Sequence, residues 1–138
     1  MIVIDGKDLV AGRLATFVAK KALEGEVIRI INADKVILSG NPKTIIKDYT
    51  ERIHRGNALK GPYQPRRADL ILKRIIRGML PYKKERGLKA FKRIKAYIGE
   101  PEEFKGKAET IKEISFGNSN IVKFITLGEL SKRIGGKL

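Results

Sequence analysis

Residues 2–31, IVIDGKDLVAGRLATFVAKKALEGEVIRII, carry the pattern that decides the fold. Ile2-Val3-Ile4 is a short apolar run closed by Asp5-Gly6, and Val27 to Ile31 is a second, interrupted by Arg29 and closed by Asn32. Both read as strands. Between them Leu14, Phe17, Val18 and Ala22 recur at helical spacing, with Lys20, Lys21 and Glu24 turned elsewhere and Gly25 placed to end the helix. Strand, helix and strand within about thirty residues predict a βαβ unit, and therefore an α/β fold with a parallel sheet.

Downstream, Asn41-Pro42 is a cap and first-turn pair, and Ile45, Ile46, Tyr49 and Ile53 then line one side of a second helix that fades near Gly56. From there to Arg67 the chain holds Gly56, Gly61, Pro62 and Pro65 among scattered bases, which predicts an exposed functional loop. The next helix is strongly amphipathic: Ile71, Leu72, Ile75, Ile76 and Met79 face inward, Lys73, Arg74 and Arg77 face outward, and Pro81 stops it. A short basic helix from about Glu85 to Arg93, with Leu88 and Phe91 as its buried contacts, leads into a strand at Ala96-Tyr97-Ile98. From Gly99 to about Gly117 the expectation is an ordered connection without an assigned element. Val122 to Ile125 reads as a last strand. Thr126 and Glu129 form a capping box that opens a terminal helix through Leu130 and Ile134, closed by Gly135-Gly136.

At 138 residues and 42% apolar, the chain fits one domain that buries its own core. It contains no cysteine, so disulfides and thiolate metal sites are ruled out and an intracellular setting is the simplest expectation. The apolar start meets Asp5-Gly6 too early for a signal-peptide core, and no later run is long enough to span a bilayer, so the chain is expected to be neither exported nor membrane-embedded. The charge is uneven. Fifteen Lys or Arg and only two acids, Asp69 and Glu85, lie between Arg52 and Lys95, so these 44 residues hold +13 of the total +15. A field concentrated in this way attracts a polyanion, and nucleic acid is the first partner to consider.

The residues offer little for catalysis. The one histidine, His54, sits at a fading helix end beside Arg55, where an exposed side chain is the plain reading, a phosphate or base contact the functional one, and acid/base chemistry a distant third. Glu100, Glu102 and Glu103 surround Pro101, but no second acidic group completes a cation site, and a solvated loop accounts for them better. No phosphate-loop or dinucleotide fingerprint occurs. Gly12-Arg13 at a strand-to-helix turn has the means to hold a phosphate, although a plain turn suffices to explain it. No cofactor, metal or small-molecule substrate is expected.

What remains is the basic segment. Its arginines grip phosphate bidentately and stack on bases, and the candidate RNA contacts are Arg52, Arg55, Lys60, Arg66 and Arg67, then Lys73, Arg74 and Arg77, then Lys83, Lys84, Arg86, Lys89, Lys92 and Arg93. Tyr63 and Tyr82 are interleaved, available either to stack on unpaired bases or to pack half-buried. A basic amphipathic helix also suits an anionic membrane, but here the bases continue into Gly- and Pro-rich loops on both sides, giving an irregular surface that suits folded RNA better.

Finally, Arg77-Gly78-Met79-Leu80-Pro81, Arg86-Gly87 and the run from Arg93 through Ala96-Tyr97-Ile98-Gly99-Glu100-Pro101 resemble the uL13 (formerly L13) family of large-subunit ribosomal proteins. Val3-Ile4-Asp5-Gly6, Gly12-Arg13-Leu14-Ala15, Asn32-Ala33-Asp34, Ser39-Gly40 and Gly61-Pro62 match the family in order, so the resemblance spans nearly the whole chain. The Tyr82-Lys83-Lys84-Glu85 spacer and the shape of the C-terminal third resemble the archaeal and eukaryotic branch more than the bacterial one, and the short sequence points to an archaeal member. The resemblance implies a three-layer α/β/α fold around a four-stranded parallel sheet, with a basic helical and loop extension. It further implies binding to 23S-type rRNA beside neighbouring large-subunit proteins, a part in subunit assembly, and no catalysis. Within the motif, Gly78 is expected to allow close approach, and Met79 and Leu80 to be core. A free-standing RNA-binding or RNA-chaperone domain is the main rival, and an RNA-processing enzyme using Glu102, Glu103 and His54 a weaker one.

Overall fold

A computed structural model describes residues 1–115, 117 and 120–136 of the chain. In order, the elements are β1 (Ile2–Asp5), α1 (Ala11–Leu23), β2 (Ile28–Ile31), β3 (Ile37–Ser39), α2 (Pro42–His54), α3 (Ala68–Gly78), α4 (Glu85–Lys92), β4 (Ile94–Ala96), β5 (Phe124–Thr126) and α5 (Leu127–Arg133). The βαβ unit forms as the pattern predicts. β1 and β2 pair in parallel with Ile4 beside Ile30, β4 pairs in parallel along the other side of β2, and the sheet order is β1-β2-β4.

Alternation along the strands sorts the side chains onto two faces. Ile4, Ile28, Ile30 and Ile94 point into the main core together with Leu14, Ala15 and Val18 of α1 and Ile71, Leu72 and Ile76 of α3. Fully burying a Leu or Ile of this kind contributes roughly 1.5–3 kcal/mol. Four buried alanines of α1, Ala11, Ala15, Ala19 and Ala22, keep that helix's inner face slim. Gly25 ends the turn after α1 with φ +102, a conformation that any Cβ disfavours.

The family motifs tie the C-terminal ends of the parallel strands together. Asn32 sits in the left-handed region and its Nδ2 donates to Asp5 Oδ1 at 2.9 Å, while its backbone N–H reaches the Gly99 carbonyl at 2.9 Å. Asp34 Oδ1 in turn accepts from the Gly99 N–H at 3.3 Å. One buried asparagine thus joins the exits of β1, β2 and β4, which explains both Asn32-Ala33-Asp34 and the Gly99 that follows β4.

Several expectations need correction. The parallel sheet has three strands, not four: Phe124–Thr126 pairs antiparallel with β3 in a separate two-stranded sheet, Leu38 opposite Ile125. β3 was not expected from its three-residue run. The outer edge of β1 is already taken by Glu109, whose N–H donates to the Val3 carbonyl and whose carbonyl accepts from the Asp5 N–H, each at 3.0 Å. The second face of the sheet, formed by Val3 and Ile31, is covered by Phe104 from the 3₁₀ turn Glu102–Phe104, with Tyr97 against it at 5.5 Å between ring centroids. β4 starts two residues earlier than Ala96, because Ile94 supplies the inward side chain; the ladder continues to the Tyr97 N–H, which donates to the Ile30 carbonyl at 2.8 Å. Leu80 is core, whereas Met79 is 43% and Leu88 47% exposed. At the C-terminus the Thr126 hydroxyl accepts from the Glu129 N–H at 3.2 Å, as the capping pattern predicts.

Candidate nucleic-acid interface

The basic segment begins on a helix that is lightly attached. Asn41 Oδ1 accepts from the Lys43 N–H at 3.1 Å to cap α2, and Pro42 occupies its first turn, but Tyr49 is the one buried residue of that helix. Burial pushes the Tyr49 phenol above its usual range, and the Arg52 guanidinium, 4.8 Å from the ring centroid, partly counters this.

The loop after α2 is built rather than slack. The Gly61 N–H donates to the Asn57 carbonyl at 2.7 Å, the Asn57 N–H donates back to the Gly61 carbonyl at 3.1 Å, and Asn57 Oδ1 accepts from the Leu59 N–H at 3.0 Å. Tyr63 Oη donates to the Ala58 carbonyl at 3.0 Å across the tip. Gly56 has φ +85, and a Cβ there would strike the Gly61 carbonyl, so glycine is required for the turn to close. Leu59, 88% exposed, stands at the tip. The loop's far end is fixed to the platform, where the buried Ser131 Oγ donates to the Arg66 carbonyl at 2.6 Å.

α3 and α4 carry the second part. Lys73, Arg74 and Arg77 follow the helical spacing off the apolar face; Lys73 lies over the Phe91 ring at 4.7 Å and Arg77 over the Tyr82 ring at 4.6 Å. The expected close approach is at Gly87, not Gly78. A Cβ on Gly87 would strike the Pro81 carbonyl, whereas one on Gly78 meets nothing within 4 Å. Thus Arg86-Gly87 seats the start of α4 against the turn that Pro81 makes.

The fourteen candidate cations divide by what they already hold. Arg67 pairs with Asp69 at 3.1 Å and Lys89 with Glu85 at 2.8 Å, so both acids of the segment are occupied. Arg52, Lys73 and Arg77 lie over aromatic rings. Arg93, half-buried, donates from Nη1 to the Ala22 carbonyl at 2.9 Å, adding a side-chain bond to a last-turn carbonyl of α1 that already accepts from the Gly25 N–H at 3.1 Å. Arg66 is exposed, with its backbone held by Ser131. Arg55, Lys60, Arg74, Lys83, Lys84, Arg86 and Lys92 are exposed, and among the described residues none of the seven forms an ion pair. A cleft brings Arg55 and Arg66 together with Tyr63, and a second gathers Lys73, Arg74 and Arg77 around Pro65, Leu70 and Phe91. Sequence reasoning missed Leu70 and Phe91 as surface features. The available signal was spacing: Leu70 precedes Lys73, Arg74 and Arg77 by three, four and seven positions, on the cationic side of α3.

The other sequence candidates lie apart from this surface or stay bare. His54 is exposed at the end of α2; Glu100, Glu102 and Glu103 are exposed, and among the described residues no three His, Cys, Asp or Glu gather as a metal site. Gly12 and Arg13 are exposed in the first turn of α1, which has no side-chain cap. No helix among the described residues is long and apolar enough to cross a membrane.

A parallel α/β platform whose acid-poor stretch 52–95, the arm, sends the apolar side chains of α3 into the core and turns its cations outward defines the class: a protein with the charge distribution of nucleic-acid binders. The particular family follows from comparison. The model of the family described as Ribosomal protein L13 matches residues 1–103. The chain is 46% identical to large ribosomal subunit protein uL13 of Methanopyrus kandleri, over 96% of this chain and 86% of that protein. It is 48% identical to uL13 of Methanosarcina barkeri, over 99% of each chain, and 39% identical to that of Haloarcula marismortui, over 97% of this chain and 90% of the other. The chain belongs to the ribosomal protein L13 family, and these relatives are archaeal.

Proposed function

We propose that this protein is a structural constituent of the large ribosomal subunit, located in the ribosome in the cytoplasm, that binds 23S-type rRNA beside neighbouring large-subunit proteins and helps the subunit assemble. One observation carries the reading: in a chain whose relatives are named as large-subunit proteins, at least seven exposed cations of one segment lack a carboxylate partner among the described residues. The family role is structural, so no reaction is assigned to His54 or the glutamates.

In mechanism, the platform holds still and the arm clamps phosphates. Seven cations meeting one phosphate each give a slope of log affinity against log salt of about −5 to −6, slightly shallower than eight contacts would give. Leading contacts are Arg74, Lys83, Lys84 and Arg86, with Arg55, Lys60 and Lys92 next. Arg67, Lys89 and Arg93 serve RNA only by giving up bonds they hold within the chain. We read the whole as one domain; α1 and α3 cover one face of the sheet, and the chain around Phe104, rather than the second helical layer that α/β/α implies, covers the other.

The test is crosslinking in native cells, with purification under denaturing wash and sequencing of the attached RNA. One discrete site in the large-subunit rRNA, joined to peptides from 52–95, is the expected result. A diffuse spread over many transcripts would overturn the ribosomal assignment in favour of a free RNA binder.

A further inference from the structure

The cleft between α3 and α4 has a composition that phosphate clamping does not require. Its lining combines Pro65, Leu70 and Phe91 with Lys73, Arg74 and Arg77. Leu70 is 43% exposed on an otherwise cationic side of α3, where a polar residue would solvate better, and Phe91 is half-buried with Lys73 across it. An apolar floor with a cationic rim fits a ligand that is flat and uncharged on one part and anionic on the next. The cleft volume is about 280 Å³, just below the roughly 300–1,000 Å³ of sites that enclose a drug-sized ligand, so it has room for one heterocycle.

We infer that this cleft receives a single unpaired nucleotide of the bound RNA, its base on Leu70, Pro65 and the edge of Phe91, its phosphates on Lys73, Arg74 and Arg77. Charge complementarity selects this occupant over an apolar peptide: three cations line the rim, and Glu85 and Asp69, the two acids of the segment, are both held in ion pairs. A splayed-out base is how proteins read RNA whose helical grooves hide base edges. The inference rests on the RNA-binding reading above and adds a preference that electrostatics alone does not give, for a single strand or bulge over a perfect duplex.

The experiment uses the full chain, a single-stranded RNA octamer and a blunt two-stranded RNA duplex without a loop, with Leu70→Ser and Phe91→Leu variants. Leu70 is exposed enough for its change to leave the fold intact, which a melting curve checks, and neither substitution alters charge. Stacking on such platforms is worth about 5- to 150-fold per base for aromatics; with a largely aliphatic floor, Leu70→Ser and Phe91→Leu are each expected to weaken the octamer about 5-fold and leave the duplex and both salt slopes unchanged. Photocrosslinks from 4-thiouridine should fall on the cleft residues. Equal weakening of both probes, or of neither, would overturn the cleft as a nucleotide site; the second of these is also the result if it serves an acidic protein segment. If the unmodified protein binds neither probe, the RNA reading falls and the cleft with it.

Discussion

The platform and the arm satisfy their polar groups in opposite directions. In the platform the strand ends are cross-bonded by Asn32, Asp5, Asp34 and Gly99, and the apolar faces close on each other. In the arm, α2 buries Tyr49 alone, the Asn57–Gly61 turn is bonded to itself, and at least seven exposed cations have no carboxylate partner among the described residues. The arm's backbone is shaped internally while its charge is left for a ligand. Since α3 also gives Ile71, Leu72 and Ile76 to the core, the division runs between the faces of the arm, and substitutions of its outward cations should separate binding from folding.

The largest expected effect tests that separation directly. Replacing Arg74, Lys83, Lys84 and Arg86 together by Ala removes four phosphate contacts, which should make the salt slope shallower by about three and lower RNA affinity about a thousandfold near 0.1 M salt. Thermal melting should not fall, since relief of like-charge repulsion offsets any lost packing. A cooperative loss of structure in this variant would erase the distinction between platform and arm.

Gly87→Ala probes the same stretch of sequence with the opposite expectation. Although it sits among the cations, its Cβ would meet the Pro81 carbonyl, and overpacking of this kind costs about 1–3 kcal/mol. Denaturant midpoints should drop by a corresponding amount while the folded protein keeps its salt slope. Gly78→Ala, with open space around it, is the matched control. If both variants are equally stable, the seating of α4 on the Pro81 turn is wrong.

Arg93 lies on the boundary. Its hydrogen bond to the Ala22 carbonyl is charge-assisted, and allowing for partial exposure its loss should cost about 1 kcal/mol. Arg93→Ala is therefore expected to lower stability and change RNA affinity little. The reverse pattern would move Arg93 into the arm.

The sequence made the platform's first half legible because Leu14, Val18 and Ala22 repeat at helical spacing between two apolar runs, and it located the arm because charge needs no fold to be counted. It could not show that Glu109 takes the edge of β1, since that pairing joins residues about a hundred positions apart through a segment with no periodic pattern. β3 escaped notice for being three residues long, and its partnership with β5 displaced the fourth parallel strand. Within the arm, residue type marked the cations but not which were engaged: only packing reveals that Arg52 covers Tyr49 or that Arg67 holds Asp69. Exposure of Met79 and Leu88 likewise depends on where α1 and α4 come to rest.

Tyr49 offers the smallest effect and the finest probe, because it is where α2 buries a side chain in the core. Burial raises its pKa above the ordinary 10.0, so the neutral phenol is the form the fold prefers. The sign follows: this contribution is fully present below the unfolded pKa and is lost as pH rises through the higher folded value. Wild type and Tyr49→Phe should thus lie closest at about pH 8 and diverge by about pH 11, with the wild type losing more stability. A gap in denaturant midpoints that stays constant with pH would refute the burial argument. Arg52 refines it, for its guanidinium stabilises the phenolate, and Arg52→Gln should push the phenol's titration still higher. If saturating RNA produces the same upward movement in the wild type, Arg52 has left the ring for a phosphate and belongs to the arm; if RNA leaves the titration unchanged, Arg52 belongs to the platform.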